Sequence, residues 1–433
     1  MPNKQSVPLV TISNESHPHD PYEALRYRNF RTLLGCTFVA AFAQQMISVA
    51  IGWELFERTN SALVLGGIGL AQIIPIIVLF LPSGYIVDLY SRKMIFLISL
   101  ALLGAASLGL ATLSALHGPL WLIYACLALM GGAQSFSSPA SSVLVSQLVS
   151  EQTFENATAW RTSSGQLASV LGPASGGFLI ALFSRATFVY VLSAAAFIII
   201  SLLALTLRVR SQVQPSKSTQ KRSLKTVVEG LQFLGRTQVM LAAMTLDLFA
   251  VLLGGATTLL PIFAKDILQV GSIGLGWLQA AGSLGAVSMA LFLAHRPPFQ
   301  RAGRTLLLAI TGFGLATIVF GLSHWFWLSF LMLFVLGGLD NISMLIRGTL
   351  TLVRTPDEMR GRVSAATSLF IGTSNQLGGF ESGLAAQLLG PIPAVALGGV
   401  GTIVVVAAVA LIWPELRRMR TIRETSENAQ AAS

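Results

Sequence analysis

Five ionisable side chains stand within or beside long uncharged stretches: Arg161, Asp247, Asp340, Arg347 and Glu381. A charge at membrane depth costs about 2.5–3.5 kcal/mol on insertion scales, so each should face a cavity or a partner. Asp340, Ser343 and Arg347 fall at i, i+3 and i+7, one polar stripe on one helix face. Asp247 and Asp340, with Glu381 behind them, are the candidate proton-coupling carboxylates, because substrate and proton can compete for such a group. A structural pairing is the other reading, Arg347 with Asp340 or Arg161 with Glu381. Gln44, Gln45, Gln134 and Asn341 can hydrogen-bond a substrate in a central cavity alongside Arg161 and Arg347, or bond from helix to helix. Glu54 reads as interfacial.

Other chemistry finds no footing. The five histidines form no metal-ligand spacing with Cys36 and Cys126, so no metal site and no catalytic residue is expected. His17 and His19 belong to a polar tail. No nucleophile elbow or phosphate-binding loop is present, and no cofactor or enzymatic activity is expected.

The elements that must hold these residues follow from composition. Of 433 residues, 53% are hydrophobic and 11% charged, and the mean hydropathy is +0.71. Soluble domains average about 25% charged residues. Such a chain cannot cover a water-facing surface, so its solvent is a lipid bilayer. The uncharged stretches divide into twelve spans near 32–56, 62–87, 93–115, 119–147, 154–182, 186–207, 238–264, 271–294, 304–322, 325–353, 359–388 and 392–413. Barrel-type alternation is lacking, so the spans are helices. Threading them places 23 of the 28 Lys and Arg on the side of both termini and three opposite. By the positive-inside rule the termini are cytoplasmic. The net charge of +10 is therefore a record of topology rather than a signal for nucleic acid.

The chain is predicted to divide into a tail (1–31), a six-helix bundle (32–207), a linker (208–237), a second bundle (238–413) and a tail (414–433). In the linker, Leu224, Val227, Val228, Leu231 and Leu234 recur at helical spacing, which suits a helix lying on the leaflet or docking a partner. The two bundles repeat each other in sequence. Gly67-Ile-Gly69-Leu-Ala-Gln72 returns as Gly274-Leu-Gly276-Trp-Leu-Gln279, and Gly131-Gly132-Ala-Gln134 as Gly337-Gly338-Leu-Asp340. Leu171-Gly172 and Gly177 return as Leu377-Gly378 and Gly383. The shift is 206 or 207 residues throughout, and equivalent helices run in the same direction. Parallel repeats of this kind belong to transporters that rock two bundles around a central site.

After span 2 come Gly84, Asp88, Arg92 and Lys93, in a turn where Asp88 can accept from a helix N-terminus. Span 5 carries Gly172-Pro173-Ala-Ser-Gly176-Gly177, where proline removes a backbone donor and glycines permit close helix approach. The turn after span 2 resembles the loop signature of the major facilitator superfamily, with Leu89 and Ser91 in place of its arginine and glycine. The span 5 segment is similar to the core of that family's antiporter motif. With residues 356–363 and Leu260-Pro261-Ile262-Phe263, the chain resembles the drug:proton antiporter branch that contains the enterobactin exporter and macrolide efflux proteins. That resemblance implies an all-α fold of two parallel six-helix bundles and alternating-access export of a siderophore or amphipathic drug against protons. It also implies a bacterial inner-membrane location and function as a monomer. Lysophospholipid flipping, solute uptake and, behind them, a non-transporting membrane sensor are the alternatives.

Overall fold

The computed structural model describes residues 20–208, 224–297 and 299–419. The tail containing His17 and His19, the first part of the linker, and the tail from residue 420 lie outside the described residues. No strand occurs among those described. Twelve long helices account for the fold. In the first half these are α1 (Arg28–Thr59), α2 (Ala62–Leu89), α3 (Arg92–Ala115), α4 (Leu120–Leu148), α5 (Phe154–Phe183) and α6 (Thr187–Leu205). In the second half they are α7 (Gln238–Ile267), α8 (Gly271–Ala294), α9 (Ala302–Leu322), α10 (Phe326–Arg354), α11 (Arg360–Leu389) and α12 (Pro391–Ile412). Eleven are long and apolar enough to cross a membrane. The remaining one, α11, has the length but carries Asn375, Gln376 and Glu381 along it.

Packing reproduces the sequence repeat. Within the first half α1 packs on α5, α2 on α4 and α3 on α6; within the second, α7 packs on α11, α8 on α10 and α9 on α12. The outward faces are apolar: Ile199 and Leu202 on α6 and Val404 and Leu411 on α12 are each at least 60% exposed. Water would penalise such stripes, whereas lipid tails are their natural surroundings.

The halves meet along two seams, α5 with α8 and α11 with α2. Both are built on glycines, of which Gly177, Gly276 and Gly383 belong to the sequence repeat and Gly66 does not. A methyl group placed on Gly177 would lie 3.0 Å from the Gly276 Cα, and one on Gly383 would lie 2.8 Å from the Gly66 Cα. These contacts sit in the halves of the helices remote from the chain termini. Further bridges lie at that same end. Lys265 Nζ donates to Asn60 Oδ1 at 3.1 Å and stands over the Phe56 ring, and Ser61 Oγ donates to Gln387 Oε1 at 3.1 Å. The molecule is thus closed at the end remote from the termini.

Three elements differ from expectation. The seventh span is not one regular helix. An α-helix ends at Leu253, a 3₁₀ turn runs over Ala256–Leu259, and a π-helical turn over Phe263–Ile267 precedes α8. Gly254-Gly255 supplies no side chain to hold the helix and Pro261 supplies no N–H. The linker helix, Leu224–Arg236, packs on the start of α11. Gly230 lies against the Arg362 backbone and Glu229 Oε2 accepts from Arg362 Nη1 at 2.7 Å. The expected tails also contribute to the fold. A short helix, Glu23–Arg26, docks on α5, where Asn156 Nδ2 and Trp160 Nε1 both donate to Pro21 O at 2.9 Å. Another, Pro414–Arg418, places Leu416 against Gly303.

If backbone approach holds the seams, a side chain at Gly177 will separate them. With Cys36 and Cys126 replaced by Ser, Ser61→Cys and Gln387→Cys should form an oxidant-driven crosslink. Adding Gly177→Val should lower its yield severalfold. An unchanged yield would show that the seam does not depend on the glycine.

Candidate functional site

Between the bundles lies a cavity of about 880 Å³, within the range of small-molecule sites. Its wall draws on both repeats. Gln44 and Gln45 come from α1, Gln72 from α2, Gln134 from α4 and Gln166 from α5. The second bundle provides Gln279 from α8, Asp340 from α10 and Asn375 and Gln376 from α11. Equivalent positions of the repeat therefore face one another across the space, Gln72 with Gln279 and Gln134 with Asp340. The local reason is again glycine: Gly131 lies against the Gln72 carbonyl and Gly337 against Gly282, which lets α4 and α10 press onto α2 and α8.

The break in α7 also belongs to this wall. Gly254, Gly255, Thr257, Thr258 and Pro261 line the cavity. An irregular backbone at membrane depth is tolerated where it borders a cavity, because its polar groups then have water or ligand to meet.

The predicted charges separate into two groups. Asp340 opens onto the cavity and is the only Asp, Glu, Lys or Arg among the described residues lining it. Asp247 does not line it: at 4% exposure it is ion-paired with Arg347, itself 6% exposed. Arg347 Nε also donates to Ser343 O at 3.3 Å. So Arg347 joins α10 to α7, making its ion pair with Asp247 and not with Asp340. Seven residues of helix place Arg347 about 10 Å further along the axis than Asp340.

The remaining predicted residues divide likewise. Gln44, Gln45 and Gln134 are in the wall, and Gln134 Nε2 reaches Gln44 Oε1 at 3.4 Å. Asn341 is buried outside the cavity lining. Arg161 Nη1 donates to Ser142 Oγ at 2.8 Å, joining α5 to α4, and is not paired with Glu381. Glu381 is half-buried and accepts from Ser382 Oγ at 3.5 Å. In the antiporter-like motif, Pro173 lines the cavity, Gly172 lies on the Phe42 and Gln45 backbone, Gly176 lies on Met46, and Gly177 forms the seam. Gly84 is buried near the end of α2; of Asp88 only the backbone is described, in the last turn of that helix. Arg92 begins α3, and Lys93 Nζ donates to Leu205 O and Leu207 O, both at 2.7 Å, holding the end of α6.

Several side chains of the cavity wall and of the bundle interior escaped sequence reasoning. Gln72 and Gln279 stood inside the repeat as the glycines did. Gln166 falls at i, i+3 and i+7 with Ser169 and Pro173, all three in the cavity wall. Glu54, read as interfacial, is 7% exposed and pairs with Arg58 at 2.5 Å; Arg58 also donates to the carbonyls of Leu113, Ser114 and Gly118. That knot ties α1 to the end of α3.

Two parallel six-helix bundles around a polar, membrane-embedded cavity define a multi-pass membrane transporter. A match to the Major Facilitator Superfamily over residues 33–380 shows that the chain belongs to that family. The family is one of transporters, so the chain is not an enzyme. It is 27% identical over 422 residues to the enterobactin exporter EntS of Shigella flexneri, covering 96% of this chain and 97% of that one. The corresponding exporter of Escherichia coli O1:K1 / APEC is 26% identical over 424 residues, with the same coverages. Among solved structures, the nucleoside transporter NupG superposes with a TM-score of 0.69 at 14% identity, covering 89% of this chain and 99% of the other. A bacterial homologue of the human lysosomal transporter Spinster, inward-facing and unoccupied, also gives 0.69, at 15% identity, covering 93% and 98%.

The Asp247–Arg347 pair yields a stability test. Breaking a buried pair leaves one charge without compensation, which costs about 3–5 kcal/mol, whereas replacing both by apolar groups is close to neutral. Arg347→Met alone should lower the denaturation midpoint of the detergent-solubilised protein strongly. Asp247→Leu added to it should restore most of the loss. A double variant no more stable than the single would remove the pairing from the account.

Proposed function

We propose that this chain exports a small molecule from the cytoplasm by alternating access, in exchange for protons that pass through Asp340. The carrying observation is that a single carboxylate stands open in a cavity closed at one end by glycine contacts. The distribution of Lys and Arg makes the terminal face cytoplasmic in this reading, and the membrane a bacterial inner membrane. The closed end is then the outer one, and the cavity is loaded from the cytoplasm.

In this mechanism substrate and proton compete. Substrate entering from the cytoplasm meets ionised Asp340 and the amides of both bundles. Rocking about the α5–α8 and α2–α11 seams opens the outer end and closes the inner one. A proton arriving from outside occupies Asp340, releases the substrate and is given up on the cytoplasmic side after the return. Arg347 and Asp247 serve in this reading as a buried tie between α10 and α7. The monomer contains the whole path. Similarity to enterobactin exporters along almost the full chain supports a siderophore-like cargo, with amphipathic drugs second.

Everted vesicles acidified inside, with a quenched pH dye, test the exchange using a catecholate siderophore as probe. Protein-dependent dequenching is expected. Asp340→Asn should lower that coupling at least about tenfold, within the usual range of coupling energies, while exchange of labelled probe down its own gradient persists. Full coupled transport by Asp340→Asn would overturn the role given to this carboxylate.

A further inference from the structure

The cavity wall is unusual in what it omits. Eight carboxamides, from Gln44, Gln45, Gln72, Gln134 and Gln166 on one bundle and Gln279, Asn375 and Gln376 on the other, surround one carboxylate. No Lys, Arg or His is among the described lining residues. The basic groups nearest in sequence are already engaged, Arg347 with Asp247 and Ser343, and Arg161 with Ser142. Lys265 is committed to Asn60 and Phe56 at the closed end.

We propose that this cavity selects neutral or singly cationic molecules rich in hydroxyl groups, and rejects carboxylates and phosphates. The inference rests on the transport reading above and specifies its cargo. Each carboxamide offers two donors and an acceptor, and a hydroxyl offers a donor and acceptors, so the two pair in both directions. An anion only accepts; it would turn the amide oxygens away and meet Asp340 with no basic side chain among the described lining residues to receive it. Charge repulsion in a partly desolvated site is felt far more strongly than in water. A purely apolar ligand fails for a different reason, because displacing water would leave the amides without partners.

The repeat sharpens the point. Gln134 and Asp340 occupy equivalent positions and both face the cavity. Gln72 and Gln279 keep an amide at equivalent positions, whereas the second bundle places an acid where the first has Gln134. That acid gives the site a preference for positive charge without altering its hydroxyl recognition.

Three fluorescent probes of one shape separate these effects: 4-methylumbelliferyl β-D-glucoside, which is neutral, the 2-amino-2-deoxy analogue, which is cationic, and the glucuronide, which is anionic. Binding is read by equilibrium dialysis against the full chain in lipid nanodiscs. The aminosugar should bind tightest, the glucoside next, and the glucuronide about 100-fold more weakly than the aminosugar, as one close charge contact allows. Asp340→Asn should erase the advantage of the aminosugar over the glucoside, and elution of the variant as a single size-exclusion peak reports that it is folded. Asp340→Glu should keep the order. Glucuronide binding as tight as that of the glucoside would overturn the proposal. So would charge discrimination that survives Asp340→Asn, or the absence of saturable binding by all three. Uptake of the same probes into proteoliposomes distinguishes the two readings. Probes bound in the expected order but never moved would sink the transport reading alone, and probes moved without regard to charge would sink this inference alone.

Discussion

Backbone-to-backbone approach at two symmetric seams is the constraint on which the rest of this molecule depends. Gly177 against Gly276 and Gly66 against Gly383 bring α5 to α8 and α2 to α11 closer than any side chain would permit. In lipid there is no hydrophobic gain from helix association, so close packing of small residues has to supply the attraction. Such seams are also easy to part, because separating them exposes no buried charge and breaks few hydrogen bonds. The polar bridges at the closed end, Lys265 to Asn60 and Ser61 to Gln387, are few and reach across short gaps. The interior of each bundle contrasts with this, tied by the Asp247–Arg347 ion pair in one and by Arg58, donating to carbonyls at the end of α3, in the other. Firm bundles joined by soft seams are what a rocking mechanism requires.

Helix α10 shows how one stripe of polar residues serves two opposed ends. Asp340 stands in the cavity, and Arg347, on the same face seven residues on, is buried against α7. Were Arg347 to pair with Asp340, the cavity would lose its one charge and α7 would carry an uncompensated acid. The geometry avoids both outcomes by giving Arg347 a different acid from a different helix.

Much of the fold was legible because lipid imposes simple rules on sequence. Uncharged runs marked the spans to within a few residues, and three of the repeated glycines, Gly177, Gly276 and Gly383, proved to be seam residues. Asp340 was legible because a charge at membrane depth stands out. The amides were less so: Gln72 and Gln279 carry no charge, and one neutral polar residue in a helix reads as readily as a packing contact. The partner of Arg347 was illegible for a geometric reason. Asp247 lies 100 residues away, and choosing it over the nearby Asp340 requires the angle at which α7 crosses α10. The irregular turns of α7 were hidden by their own hydrophobicity, although Gly254-Gly255 and Pro261 were in plain view. The docking of Pro21 on Asn156 and Trp160 joins segments too distant for any local pattern to reveal.

The two short terminal helices carry a consequence of their own. Glu23–Arg26 is fastened to α5 of one bundle, and Pro414–Arg418 to α9 of the other. Each of these short helices therefore rides on a different bundle, and both lie on the same face. Their separation is a built-in gauge of the angle between the bundles. A dye pair near Tyr22 and Leu416 would read the working stroke of the machine from outside its cavity.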